Sequence, residues 1–381
     1  MTSQAVVPLA DPGAQYLALR GEIDAAITEV LHSGFYVLGP QVSAFEREFA
    51  NYIGASQAIG VANGTDAIAL ALRALDIGCG DEVITVAHTA VATVAAIEQV
   101  GATPVLVDVE AGLLTMDPAQ LAEATTPRTR AVIPVHLYGQ AASIDAIERF
   151  CSEHELALIE DASQAHGATW DGRRLGSIGL IGVFSCYPTK NLGALGDAGV
   201  IVTSDLAIAE RLRALRQYGW VDRNNSLEPG VNSRLDELQA AVLRVKLRQL
   251  DHHNDRRREL ADAYDAALAD LPVKTPTRNA RGDHVFHLYV VEVSDRERVR
   301  TYLSQRGIQT VVHYPIPVHL QPAYLGRIRT ANELPVTVAA SERILSLPIF
   351  PELTDNMQSR VIRAITEAVG AKSAPVLNNS R

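Results

Sequence analysis

From about residue 56 to residue 203, short apolar runs alternate with amphipathic segments. GTDAIALALRAL has the three-and-four spacing of a helix, DEVITV (81–86) reads as a strand, and TAVATVAAIEQVG returns to helical spacing. PVLVDV (104–109) predicts the next strand and DPAQLAEA a helix. RAVIPVHLYG carries a strand, IDAIERFCSEHE is helical, and LALIEDA (156–162) is again a strand. IGVFSCYPTK and AGVIVTS supply two more. Runs rich in β-branched residues and bounded by Gly, Asp or Pro suit strands buried on both faces, as in a parallel sheet covered by helices. The repeating order therefore predicts an α/β fold. The pattern then changes. LDELQAAVLRVKLRQLDHHNDRRRELADAYDAALADL predicts one long helical stretch bridging a large and a small domain. Beyond it HVFHLYVVEV reads as a strand, and RERVRTYLSQRG and DNMQSRVIRAITEAVG as helices. The tail AKSAPVLNNSR is polar and expected to fray.

A chain of 381 residues exceeds a single compact core, so two domains are expected: residues 1–250 as the large unit and 251–381 as the small one. The net charge of −10 disfavours a nucleic-acid backbone as partner, because phosphate binding needs a basic face. No apolar run reaches the roughly 20 residues of a membrane span. The first residues lack the basic and apolar regions of a secretion signal, so a cytoplasmic protein is expected. Cys79, Cys151 and Cys186 form no C-x-x-C pair, which predicts reduced thiols and no zinc site.

Four separated segments fall where strands end or helices begin, the edge at which open α/β sheets bind ligands. Asn63-Gly64-Thr65-Asp66 opens a helix. Glycine permits close backbone approach and the free N–H groups favour an anion such as phosphate, though a plain helix cap has the same signature. Asp161, in EDASQAHG at the end of an apolar strand, needs a cationic partner such as a protonated pyridine nitrogen, unless it merely caps the next turn. Lys190 follows the strand FSCYP within a Gly-rich turn. Desolvation there would leave its amine nucleophilic enough for a Schiff base; the alternative is a solvated surface lysine. Ser185, five residues earlier, can reach a phosphate. The fourth segment, Gly230 to Ala241 around Asn232, leads into the long helix and could be only its N-cap.

Other constellations are poor. Gly193-x-x-Gly196-x-x-Gly199 is not the dinucleotide fingerprint, and no G-x-x-x-x-G-K-[ST] or G-x-S-x-G occurs. His252, His253, His284 and His287 lack carboxylate or thiol companions at ligand spacing, so no metal is expected and they read as surface or strand histidines. Arg256, Arg257 and Arg258 read as a solvated helix face.

Taken together, NGTDAI, PVHLYGQ, EDASQAHGA, FSCYPTKNLGALGDAG and NSRLDELQAAVLRVKL resemble the signatures of the DegT/DnrJ/EryC1/StrS sugar aminotransferases, from about Gly39 to Pro351. The resemblance implies the fold type I architecture of aspartate aminotransferase, an α/β fold whose large, mostly parallel sheet domain binds pyridoxal 5′-phosphate beside a small C-terminal α/β domain. It implies Lys190 as the Schiff-base lysine that also shuttles protons, and Asp161 paired with the pyridine nitrogen. Gln164 would meet the ring hydroxyl, and Gly64, Thr65 and Ser185 the phosphate. Asn232 would reach that phosphate from the partner subunit of a homodimer. The family usually stacks an aromatic residue on the ring where this chain has Ala90; either His88 covers that face, or His88 is a helix-start residue and the face is open. The segment LGALGDAG and residues 313–322 are most similar to enzymes that aminate C3 of a nucleotide-linked 3-keto-6-deoxyhexose. The implied substrates are a dTDP-3-oxo-6-deoxyhexose and glutamate, for an amino sugar of a polysaccharide or antibiotic. Tyr187, His313 and Tyr314 would approach the sugar or nucleotide, the last two being otherwise part of a Pro-rich surface loop. Two rivals remain: a related sugar dehydratase, which carries His where this chain has Lys190, and a non-catalytic regulator of the same fold.

Overall fold

The computed structural model describes residues 5–370. Seven strands of the large sheet lie in the first two thirds of the described chain: β1 Gln57–Val61, β2 Glu82–Val86, β3 Thr103–Val107, β4 Thr129–Val132, β5 Ala157–Asp161, β6 Ile181–Ser185 and β7 Gly199–Thr203. Further along the chain lie β8 Tyr289–Glu292, β9 Arg329–Thr330 and β10 Ile344–Leu347. The large sheet has the order β1-β7-β6-β5-β4-β2-β3-β9. Only β7 runs against its neighbours; every other adjacent pair is parallel. The expected α/β fold with a mostly parallel sheet is therefore present.

Strand periodicity explains how the sheet builds three layers. Ile59, Val83, Ile133, Ile159, Val183 and Ile201 face the helices Gly64–Ala74, Val91–Gln99 and Leu206–Leu215 in one apolar cluster. Their alternating neighbours turn the other way: Phe184, Val200 and Val202 pack under Phe45 and Phe49, and Ile84, Val132 and Leu158 join the largest cluster. The same alternation separates two adjacent carboxylates on β5. Asp161 has the parity of Ile159 and faces the helix Val91–Gln99. Glu160 has the parity of Leu158 and is fully buried on the opposite face. There it accepts hydrogen bonds from the N–H groups of Gly176 (2.8 Å), Ile178 (2.7 Å) and Gly179 (2.7 Å), and from His136 Nε2 at 3.0 Å. The Ala142 N–H donates to His136 Nδ1, so the proton sits on Nε2 and points at Glu160. Glu160 is thus a satisfied structural carboxylate, and Asp161 is the one available to a site.

Beyond the large sheet, β8 and β10 pair antiparallel, with the helices Arg296–Ser304, Pro335–Arg343 and Asp355–Gly370 in the same part of the chain. One segment of this C-terminal region returns to the large sheet. β9 adds to the edge of β3, and Arg329 meets Glu82 at 3.0 Å. The largest core cluster likewise joins residues such as Val105 and Val107 to Leu260, Tyr289 and Val361.

The structure corrects several local expectations. The long helix is two, Glu237–Leu247 and Leu250–Leu268, broken at Arg248–Gln249 with neither Gly nor Pro at the break. The bend carries the chain from the cluster holding Leu243 and Leu247 to the one holding Leu260 and Tyr264, a tertiary requirement that local spacing does not express. HVFHLYVVEV is a strand only from Tyr289. Residues before it cross to the turn at 137–140, where Val285 N–H donates to Gly139 O (2.9 Å) and Leu288 N–H to Tyr138 O (3.2 Å). His284 and His287 on that crossing are buried rather than on the surface. Arg257 is buried too, donating to the carbonyls of Phe286 and Ile349 instead of lying on a solvated face. The tail from Ala371, expected to fray, lies outside the described residues. Among the described residues no helix is long and apolar enough to cross a membrane.

Candidate active site

A cavity of about 290 Å³ opens beyond the C-terminal ends of β2, β4, β5 and β6. It is lined by Gly64 and Thr65, Asp161 and Gln164, and Ser185, Tyr187 and Lys190. Three of the four segments singled out in the sequence, around Gly64, Asp161 and Lys190, therefore meet in one place, at the sheet edge where α/β folds bind ligands.

At one end of the cavity the helix Gly64–Ala74 begins. Asn63 does act as its cap, its Oδ1 accepting from the Asp66 N–H at 2.8 Å. The cap leaves the N–H groups of the first turn available to an anion, so capping and anion binding coexist here. Gly64 cannot be larger: a Cβ there would lie 2.7 Å from Ser185 Cβ. That closeness puts the Ser185 hydroxyl beside the helix start. The neighbouring segment is tied to the same helix, because Ser233 Oγ donates to Asp66 Oδ2 at 2.7 Å and accepts from the Ala62 N–H at 3.1 Å. Asn232, one residue before Ser233, is exposed and does not line the cavity of its own chain.

Asp161 is buried, 5% exposed. Thr93 Oγ1 donates to its Oδ2 at 2.9 Å and the Ser163 N–H to its Oδ1 at 3.2 Å. Each oxygen keeps a lone pair, and among the described residues no salt bridge neutralises the charge. Thr93 was not anticipated. It stands in the first turn of the helix Val91–Gln99, and no local spacing ties it to Asp161; only the packing of that helix on β5 does.

Lys190 sits in the turn after β6, its N–H donating to Tyr187 O at 2.8 Å. A Cβ on Gly193 would fall 2.4 Å from Pro188 O, so glycine lets this turn close on itself. Part of the Lys190 side chain faces the cavity and the rest is surrounded by protein. Burial lowers its amine to about 8, opposed by the charge of Asp161. Lys190 also borders a small polar recess with Arg257 and Glu352 on its far side.

Gln164 is oriented without ambiguity. The Tyr138 N–H donates to its Oε1 at 2.7 Å, and its Nε2 donates to Tyr314 Oη at 3.1 Å. Tyr314 thus approaches the site through Gln164. His313 turns aside, its Nδ1 bonded to Ser346 Oγ at 2.9 Å. Tyr187 is half exposed at the cavity mouth. The structure places His88 elsewhere than over a ring: it is 1% exposed, absent from the cavity wall, and its Nε2 lies 2.7 Å from Tyr138 Oη. Thr89, Ala90 and Thr93 line that side instead, so the face opposite β5 is open as far as this chain alone supplies it.

Beside Asn232 a wider cleft is lined by Gln217, Trp220, Arg223 and Arg234, with the Gln217 backbone bridged to Asn232. Among the described residues no ion pair holds Arg223 or Arg234. Next to the cleft, Phe35, Tyr36 and Val37 expose a continuous apolar stretch.

Residues 18–366 match the DegT/DnrJ/EryC1/StrS aminotransferase family. The chain is 48% identical to a dTDP-3-amino-3,4,6-trideoxy-alpha-D-glucose transaminase of Streptomyces venezuelae, covering 95% of this chain and 96% of that protein. It superposes on the crystal structure of S. venezuelae DesV in complex with a ketimine intermediate with a TM-score of 0.95, at 47% identity over 97% of this chain and 100% of the other. NtdA from Bacillus subtilis, solved with bound cofactor PMP, gives a TM-score of 0.88 at 31% identity, covering 97% and 87% of the two chains. The sheet order, the cavity at its edge and this match over nearly the whole length make the chain a member of the DegT/DnrJ/EryC1/StrS aminotransferase family.

Proposed function

We propose that the protein transfers an amino group from glutamate to the C3 keto group of a nucleotide-linked 6-deoxyhexose, a dTDP-3-oxo sugar, using pyridoxal 5′-phosphate held in the cavity beside Lys190. One observation carries this reading: a half-buried lysine with a depressed pKa and a buried carboxylate with no salt bridge among the described residues line the same cavity, beside a helix N-terminus. The residues fit the cofactor's three polar features. The first-turn N–H groups at Gly64 and Thr65, with the Ser185 hydroxyl, suit a phosphate. Asp161 suits a protonated ring nitrogen, and the Gln164 amide has a donor for a ring hydroxyl. Bound there, pyridoxal phosphate supplies an electron-withdrawing ring that lets a C–H bond beside nitrogen ionise. The protein's part is to hold and to move protons. Asp161 would keep the ring nitrogen charged, and Lys190, with its amine lowered to about 8 and so about half uncharged near that pH, would carry a proton to and from carbon. The dehydratase alternative is weakened because position 190 is lysine, and the intact Lys190–Asp161–Gln164 set argues against a non-catalytic role. The likeness to a dTDP-3-amino sugar transaminase supports the sugar assignment. Incubation with glutamate and a panel of nucleotide-linked 3-keto and 4-keto sugars is expected to add one amino group to a dTDP-3-keto sugar, read by mass. Amination confined to 4-keto sugars would overturn the C3 assignment.

We further infer a homodimer in which Asn232 serves the partner's cavity. Asn232 is exposed yet held in place by Ser233 and Gln217, and it adjoins the apolar stretch Phe35–Val37 and the arginine-lined cleft. A shared site has a distinctive signature. Mixing Lys190→Ala with Asn232→Ala subunits should regenerate intact sites in about a quarter of positions, so activity recovers toward that fraction after subunit exchange. Mixtures no more active than the sum of their parts would exclude sharing.

A further inference from the structure

Tyr138 is an aromatic residue at a left-handed backbone position, φ 61°, followed by Gly139 at φ 101°. A bulky residue there is strained by about 1 kcal/mol or more, and such strain persists where surrounding structure enforces it. The enforcement is visible: Tyr138 O and Gly139 O accept N–H groups from Leu288 and Val285, and a Cβ on Gly139 would sit 2.9 Å from His287 N. The turn's conformation aims the two ends of Tyr138 at two different parts of the site.

Its N–H donates to Gln164 Oε1. Its hydroxyl, fully buried among His88, His313 and Tyr314, donates to the His313 carbonyl and lies 2.7 Å from His88 Nε2. The phenol has one proton and a carbonyl only accepts, so that proton is committed to His313. His88 Nε2 must then be the donor to the phenol oxygen, which fixes the His88 tautomer and leaves Nδ1 bare. Nδ1 has no partner among the described residues, as this assignment requires. Burial lowers His88 to about 4, which keeps the ring neutral in this role.

We propose that Tyr138 is a positioning residue. Through its N–H it forces the Gln164 amide to present nitrogen, not oxygen, to the cavity; through its hydroxyl, buttressed by His88, it pins the 313–314 backbone so that Tyr314 meets Gln164. The second half sets where Tyr314 stands, with its own hydroxyl proton free to donate because the phenol oxygen already accepts from Gln164. His88 therefore acts through Tyr138 and touches neither cofactor nor sugar. The consequence for a sugar substrate rests on the function proposed above, whereas the pinning of the loop does not.

Tyr138→Phe keeps the ring and the N–H but deletes the hydroxyl. In protein free of cofactor, hydrogen exchange across 312–316 is expected to quicken by roughly tenfold, while β5 exchanges as before, because two buried groups lose a partner. His88→Leu should give part of the same increase, and His88→Gln, which can still donate, should restore it. In the loaded enzyme the same substitution should raise the KM for the sugar by about tenfold with kcat changed less than about threefold. It should leave cofactor affinity unaltered, because the Gln164 contact survives. Unchanged exchange at 312–316 in Tyr138→Phe, or equal behaviour of His88→Leu and His88→Gln, would overturn the proposal. A protein that takes up no pyridoxal phosphate would defeat the functional reading alone, and the exchange data would still decide the role of Tyr138.

Discussion

Lys190→Ala is expected to lower turnover by about 10⁴-fold or more, since in the proposed function one side chain would serve as both attachment point and proton carrier. A depressed pKa alone does not single it out. Lys246 is also held near 8 by burial, and its Nζ has no hydrogen-bond partner among the described residues. Position separates the two amines: Lys190 lines the cavity with Asp161, and Lys246 does not. Lys246→Met should therefore keep turnover within a few-fold, while Lys190→Arg, which cannot lose its proton, should be nearly as poor as the alanine variant. The pH dependence has a definite sign. A lysine with its amine lowered to about 8 is largely uncharged above that pH, whereas an unperturbed lysine reaches the same state only near 10.4. Reductive labelling of the cofactor-free protein by an aldehyde should thus rise through about pH 8 at Lys190 and much later at surface lysines. Labelling at Lys190 that rises only near 10, or appreciable turnover by Lys190→Ala, would remove this residue from the mechanism.

Some of this was legible in the chain and some was not, for identifiable reasons. Local periodicity located β2 to β7 within a few residues, since continuous apolar runs bounded by Gly, Asp and Pro depend little on distant partners. It also put Asp161 and Lys190 at strand ends, where their chemistry stood out against apolar neighbours. β9 has two residues and owes its existence to the exposed edge of β3, so no pattern within it announces a strand. The break at Arg248–Gln249 answers to two core clusters rather than to local sequence. His88 is the most instructive case. As a residue type beside a missing aromatic it suited either a ring face or a helix start, and only the fold of the 137–140 turn shows that Tyr138 takes up its donor. Thr93 likewise gains meaning only once β5 and the helix Val91–Gln99 lie side by side.

Asp161→Asn is expected to cost about 10³-fold in turnover, roughly 4 kcal/mol of transition-state stabilisation, and to change stability in the opposite direction. The amide occupies the same space, and its oxygen can still accept from Thr93 or from the Ser163 N–H. What it lacks is the charge that, in the proposed function, would hold a proton on the cofactor's ring nitrogen. Without that proton the ring withdraws electrons less strongly, and the loss falls on the carbon-to-carbon proton steps rather than on binding of the sugar. In the cofactor-free protein the wild-type carboxylate is buried with two neutral donors and, among the described residues, no salt bridge, an arrangement that costs folding free energy. Removing the charge should therefore leave the cofactor-free protein as stable as wild type or more so. Adding pyridoxal phosphate should then raise the melting temperature of wild type by more than that of the variant, because only wild type gains an ion pair on binding. A group kept at a cost to stability and repaid only when the ligand arrives is the thermodynamic mark of a functional residue. If Asp161→Asn instead melted well below wild type and turned over within tenfold of it, the carboxylate would be structural, as Glu160 is on the other face of the same strand.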